Sequence, residues 1–131
     1  MKLTKYSRNK ILETFQYWSV PKDFADPMFN YLVYGYQPGS CFTSVLANDF
    51  SGAIMRSHPN NTIDAFKALV GWINDFVPSM ARGSYEVVEA WTKLSDHQRR
   101  AVLEGKGLIF STEEETWKVL KDEPSTEPQL Y

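Results

Sequence analysis

Cysteine is almost absent from this chain. Cys41 is the only one among 131 residues, so no intrachain disulfide can form and a reducing, cytoplasmic setting is expected. Histidine is nearly as scarce, and neither His58 nor His97 belongs to an HExxH motif or faces a CxxC pair, which leaves no metal-ligand spacing to build on. Nowhere do about 18 apolar residues run together. The opening MKLTKYSRNKILETFQYW lacks the apolar stretch of a signal peptide, so neither a membrane span nor export by that route is expected. A large charge of one sign is missing too. Fourteen Lys and Arg against sixteen Asp and Glu give a net charge of -2, which makes no global case for a polynucleotide or an anionic membrane as partner. Gly35 and Gly39 are not spaced as a phosphate loop, no serine sits in a nucleophile elbow, and no pair among the sixteen acids is singled out for acid–base work. The chain therefore reads as a binding protein, with no catalytic residue, metal or cofactor expected.

What is present is helical patterning. The hydrophobic fraction of 43% and the aromatic fraction of 15% are enough for a folded body. The length suits one domain, taken as residues 1–122 followed by a tail, 123–131, in the polar, proline-containing stretch DEPSTEPQLY. Ile11, Leu12, Phe15 and Trp18 predict a helix over about 5–18, stopped by Val20-Pro21. Asp26-Pro27 reads as an N-cap opening a second helix that stops at Gly35. Pro38-Gly39-Ser40 opens a third, CFTSVLANDFSGAIMRS, taken as one continuous helix with Gly52 inside it. Asn61 or Thr62 caps the next, whose stripe is Ile63, Phe66, Leu69, Val70, Ile73 and Phe76. Gly83-Ser84 opens a fifth through Trp91 and Leu94, and Ser95 with Gln98 forms a capping box for a sixth that closes at Gly105. GLIFS could be extended but has no partner strand. Ser111 or Thr112 followed by three glutamates starts a last helix anchored by Trp117 and Leu120. The expected fold class is all-α, a compact bundle of about six or seven short helices with no significant sheet.

One residue breaks the pattern. At 100° per residue along a continuous third helix, Phe42, Val45, Leu46, Phe50 and Ala53 make the apolar face and Asp49 falls in its middle, with Arg56 near the same line. A carboxylate placed there needs a partner, either a helix start, an arginine such as Arg56 or Arg82, or a ligand. Asn48 stands beside it. Arg82-Gly83-Ser84-Tyr85 precedes a helix, where free N–H groups suit an anion, although ordinary capping would account for the same residues. His58 to Asn61 is a polar turn before another helix, which would equally serve as a plain surface turn. Tyr6, Tyr17, Tyr31, Tyr34 and Tyr36 make the first third rich in tyrosine, suited to core packing, a subunit interface or base stacking.

The stretch YQPGSCFTSVLAND, with Trp18 and Pro21 ahead of it and Phe50 after it, resembles a widespread group of small phage and prophage proteins. The similarity runs over about 18–94, through Asn61, Phe76, Pro78, Gly83-Ser84 and Trp91. The chain departs from the group at Ala81-Arg82, where many members carry Cys-Trp. The resemblance implies a phage origin, hence an infected bacterial cell as location, and an all-helical fold. It implies no active site.

On these readings the expected function is counter-defence, sequestering a small nucleotide immune signal in a homo-oligomer; the alternative is an inhibitor that binds a host or defence protein. Candidate ligand residues are Arg82, Gly83, Ser84, Tyr85, Asp49, Asn48, Arg56, His58, Asn61 and Tyr36.

Overall fold

Capping and closure explain where the helices begin and end in the computed structural model, which describes residues 5–106, with side chains from Ile11 onward. Helix α1 spans Lys5–Trp18. It closes at Ser19, whose φ of 57° lets the N–H groups of Ser19 and Val20 reach back to the carbonyls of Gln16 and Phe15 at 3.2 and 3.0 Å. A 3₁₀ turn, Lys22–Phe24, then runs directly into α2, Ala25–Tyr34. The expected cap at Asp26 is therefore not used. Phe24 already has a helical backbone, so the helix begins at Ala25 and Asp26 lies inside its first turn, where its charge favours the dipole. Gly35 ends α2 with a φ of 73°, as its sequence position suggests.

The expected single helix from residue 41 to 57 is two helices, α3 at Ser40–Leu46 and α4 at Phe50–Arg56. The break is local in origin. Asn48 adopts a left-handed φ of 66°, its N–H bonds to the Val45 carbonyl at 3.1 Å, and the Asp49 N–H bonds to the Ser44 carbonyl at 2.8 Å. This pair of bonds is the closure that terminates a helix, and asparagine is the residue other than glycine that most readily occupies its left-handed position.

Helix α5, Ile63–Phe76, is capped by the Thr62 hydroxyl, which accepts from the Ala65 N–H at 3.0 Å. Phe66, Leu69, Trp72 and Ile73 are buried, whereas Ile63, expected in the apolar stripe, is 62% exposed in the first turn. After a 3₁₀ turn at Ser79–Ala81 comes α6, Tyr85–Lys93, capped by Ser84. The last described helix, α7, Asp96–Gly105, has the Ser95–Gln98 capping box in both directions, at 2.9 and 3.1 Å. Among the described residues there are seven α-helices and no strand, so the chain has an all-α fold. The GLIFS segment, the helix expected from Ser111 or Thr112, and the tail at 123–131 lie outside the described residues.

The core forms around α2, from which Met28, Phe29, Tyr31, Leu32 and Val33 are buried. Phe15 of α1 meets the Trp72 ring of α5 edge-on, 4.7 Å between centroids, and the indole N–H donates to Thr14 Oγ1 at 2.9 Å. Each such aromatic removed from water stabilises the fold by roughly 1.5–3 kcal/mol. At the C-terminus of α2 the N–H groups of Gly35 and Tyr36 reach the carbonyls of Tyr31 and Asn30 at 3.0 and 3.2 Å, and later helices supply further donors. Trp91 Nε1 of α6 donates to the carbonyls of Tyr31 and Leu32, both at 3.2 Å, and Arg99 Nε of α7 donates to that of Val33 at 3.1 Å. The same buried guanidinium bonds the Leu94 carbonyl at the end of α6 and the Asp96 carboxylate. Tyr31 pins the other approach to α6: its hydroxyl donates to the Ala81 carbonyl at 2.8 Å, and burial pushes its pKa above the usual phenol range. Residues 82–85 are thereby held against the end of α3, where the Gly83 N–H donates to the Leu46 carbonyl at 2.8 Å.

Candidate functional site

Because Asn48 turns the chain, Asp49 does not lie on an apolar helix face. It is the N-cap of α4, 37% exposed at the side chain, and its Oδ1 accepts from the Gly52 N–H at 2.9 Å. The expectation of a buried carboxylate is thus corrected, while the expectation of a partner is met several times over. Tyr85 of α6 donates its hydroxyl to Asp49 Oδ2 at 2.6 Å, and Arg56 Nη1 stands 3.7 Å from the same oxygen. Ser44 of α3 lies between them, its Oγ 3.0 Å from the Tyr85 oxygen and accepting from Arg56 Nη1 at 2.9 Å.

The protons in this ring can be assigned by counting donors. An ionised carboxylate only accepts, so the single Tyr85 proton goes to Asp49 and the Ser44 hydroxyl must donate to Tyr85. The Tyr85 bond first, then the Gly52 N–H and the charge of Arg56, hold the Asp49 carboxyl below the usual carboxylate range. A carboxylate shifted that way is a poor proton acceptor, and Ser44 is buried; the ring is better built as an inter-helix strut than as a general base with a nucleophile. Gly52 makes room for it. A Cβ there would collide with the Asp49 carboxylate and the Arg56 guanidinium.

Two recesses flank α3. The larger, about 420 Å³, lies between the end of α3, α5 and the entry to α6. Its apolar wall comes from Val45, Leu46, Val70 and Ile73, with Phe50, 43% exposed, at its edge. Its polar lining is Asn48, Lys67, Asn74 and Arg82, with the Gly83 backbone. Two cations and two carboxamides face it, and no carboxylate does among the described residues. Lys67, Val70 and Asn74 fall there because they are spaced three and four residues apart along one side of α5. The smaller recess, about 340 Å³, is lined by Gln37 and Pro38, by the hydroxyls of Ser40, Thr43, Ser44 and Tyr85, and by Arg56.

The structure brings the predicted residues together in part. Asn48, Arg82 and Gly83 line the larger recess, Arg56 and Tyr85 line the smaller, and Asp49 ties α4 to α6 beside Asn48. Ser84 serves as a cap, accepting from the Val87 N–H at 3.1 Å. The phosphate site expected on free N–H groups at residues 82–84 is reduced, since the Gly83 N–H is spent on Leu46 and Arg82 Nε donates to the Val77 carbonyl at 2.9 Å. His58 and Asn61 enter neither recess; His58 Nδ1 accepts from the Asn60 N–H at 3.1 Å and the Asn61 N–H donates to the His58 carbonyl, an ordinary surface turn. Tyr36 is exposed, its ring 5.7 Å from that of Tyr34. Ser44, Lys67, Asn74 and Gln37 were missed. For Lys67 and Asn74 the signal was legible as two polar residues bordering an apolar stripe on a buried helix; for Ser44 there was none, since its partner is 41 residues away.

No cluster of three or more His, Cys, Asp or Glu that could hold a metal, and no helix long and apolar enough to cross a membrane, occurs among the described residues. The chain matches no protein-family model, no curated protein and no solved structure.

Proposed function

We propose that the protein is a non-enzymatic binding protein that sequesters a small phosphate-bearing nucleotide in the larger recess, acting as a phage-encoded counter-defence factor. The observation that carries this reading is the lining, in which Lys67 and Arg82 share one recess with two carboxamides and an aromatic edge and with no carboxylate among its described residues. Each part has a chemical counterpart in a nucleotide. Lysine and arginine attract phosphate, a carboxamide offers both a donor and an acceptor to a base edge, and Phe50 offers a face for stacking. The resemblance of residues 18–94 to phage proteins supports the setting.

Native mass spectrometry of protein purified from an infected, defence-carrying host tests the reading, with a retained nucleotide-sized mass expected and the subunit count obtained from the same spectrum. Lys67→Glu should lower nucleotide affinity by roughly 10- to 100-fold in calorimetry, the range for losing one charge-assisted bond. A wild-type protein that binds no nucleotide at millimolar concentration would sink it. The inhibitor reading would then gain, on the observation that Met55 and Ile63, on either side of the turn at 57–62, are 83% and 62% exposed.

A further inference from the structure

We infer that the larger recess holds its nucleotide in one direction, with the phosphate at Lys67 and the base edge at Arg82, and that it selects guanine. The inference rests on the nucleotide reading above and deepens it by naming the base. A recess of about 420 Å³ lies toward the small end of the range of roughly 300–1,000 Å³ for ligand pockets, which suits one nucleotide. It has a direction because α5 runs along it. Lys67 and Asn74 are seven residues apart on that helix, about 10 Å along its axis, on the scale of a mononucleotide from base edge to phosphate. Arg82 belongs to the Asn74 end, since its Nε donates to the carbonyl of Val77, just past the last turn of α5. Asn48 comes to the same end, because the Gly83 N–H bonds the Leu46 carbonyl two residues before it. Lys67 therefore stands apart from the arginine and both carboxamides.

The two cations also differ in how they are held. Arg56, Lys93, Arg99 and Arg100 each pair with a carboxylate, whereas Lys67 and Arg82 have no ion pair among the described residues. Lys67 is exposed, and its ammonium is a point charge that meets a phosphate in any orientation. Arg82 has one edge of its guanidinium fixed by the Val77 carbonyl, while Nη1 and Nη2 have no bond among the described residues. The result is an oriented pair of donors. Guanine offers such a fork two adjacent acceptors, O6 and N7, whereas adenine sets an N6 amino donor beside N7 and would put donor against donor. The Asn48 and Asn74 carboxamides can donate or accept, so they accommodate either base and the arginine decides. Phe50, two residues after Asn48, stands at the rim of the same end with a face for the base.

Calorimetry with GMP, AMP and guanosine tests the inference. GMP should bind about tenfold or more tighter than AMP, the discrimination of one bidentate base contact. Lys67→Ala should bring GMP down to guanosine while leaving guanosine itself unchanged. Arg82→Lys keeps the charge and loses the fork, so it should bring GMP down to AMP with AMP no weaker than before. Asn74→Ala, at an exposed position, should weaken GMP and guanosine by the same factor, which keeps the direction testable if a change at Arg82 loosens the fold. Equal binding of GMP and AMP would overturn the inference and leave the nucleotide reading standing. So would an Arg82→Lys protein that loses GMP and AMP by one factor with guanosine untouched, because the phosphate would then lie at Arg82. Binding of none of the three at millimolar concentration would overturn both.

Discussion

Arg99 and Arg56 each pair with an aspartate, yet they belong to regions built on opposite principles. Arg99 is buried at the base of the bundle, where it bonds the last carbonyls of α2 and α6 and the Asp96 carboxylate. Its fork has been divided among helix ends whose negative dipole charge suits a cation, and it lines neither of the two recesses. Arg56 sits at the α3–α4 corner, half exposed, with one nitrogen tied to Ser44 and the head lining a recess. A guanidinium satisfied entirely from within is part of the scaffold, whereas Arg56, anchored through Nη1 beside a cavity, keeps about half of its side chain exposed. The base makes the corner possible, because Trp91 and Arg99 set α6 against α2 and so bring Tyr85 to Ser44 and Asp49.

The contrast breaks first at Arg99. Arg99→Ala removes a buried side chain, leaves inward-facing carbonyls without donors, and should cost on the order of 3 kcal/mol or more in chemical denaturation. A loss no larger than that of an exposed arginine would mean that the base is not the scaffold. Asp49 is expected to matter less, and in a pH-dependent way. Its pKa in the folded chain is below the ordinary 3.8, so its bonds to Tyr85 and Gly52 stabilise the fold above that pH and are lost as pH falls through the lowered value. Thermal melts should therefore show wild type above Asp49→Asn by a few degrees at about pH 6, and the gap should close toward about pH 3. A gap that widened in acid would contradict the ring.

The smallest change sharpens the contrast by separating backbone from side chain at the corner. Asn48→Gly keeps the left-handed closure without strain and should alter stability by less than about 1 kcal/mol, while Asn48→Val should cost roughly 1–2 kcal/mol. If the corner is a ligand site, Asn48→Gly should nonetheless lower nucleotide affinity, because the carboxamide that lines the larger recess is gone. Equal affinity with equal stability would leave Asn48 a purely structural closure.

Much of the fold was legible, and the failures are as local as the successes. Periodicity carried through LANDFSG because apolar residues kept recurring at helical spacing on both sides of it. Asn48 at a left-handed closure followed immediately by Asp49 as a cap with Gly52 three residues on is a stop and a start written in the sequence, and it outranks periodicity. Asp26-Pro27 misled for the converse reason, since a 3₁₀ turn had already set the helix direction before it. Tyr31, grouped with other tyrosines as a candidate for stacking, is in the core; nothing in its neighbours distinguishes it from Tyr36, which is exposed.

The sequence by itself determined the all-α class and most helix limits, because the bonds that start and stop a helix, such as Thr62 to Ala65 or Ser95 to Gln98, close within about three or four residues. Only the tertiary structure decided which polar residues share a space. The Ser44–Tyr85 and Val33–Arg99 bonds span 41 and 66 residues, and no local rule selects such partners; they meet because burying Trp72, Trp91 and the α2 face permits one arrangement of the helices.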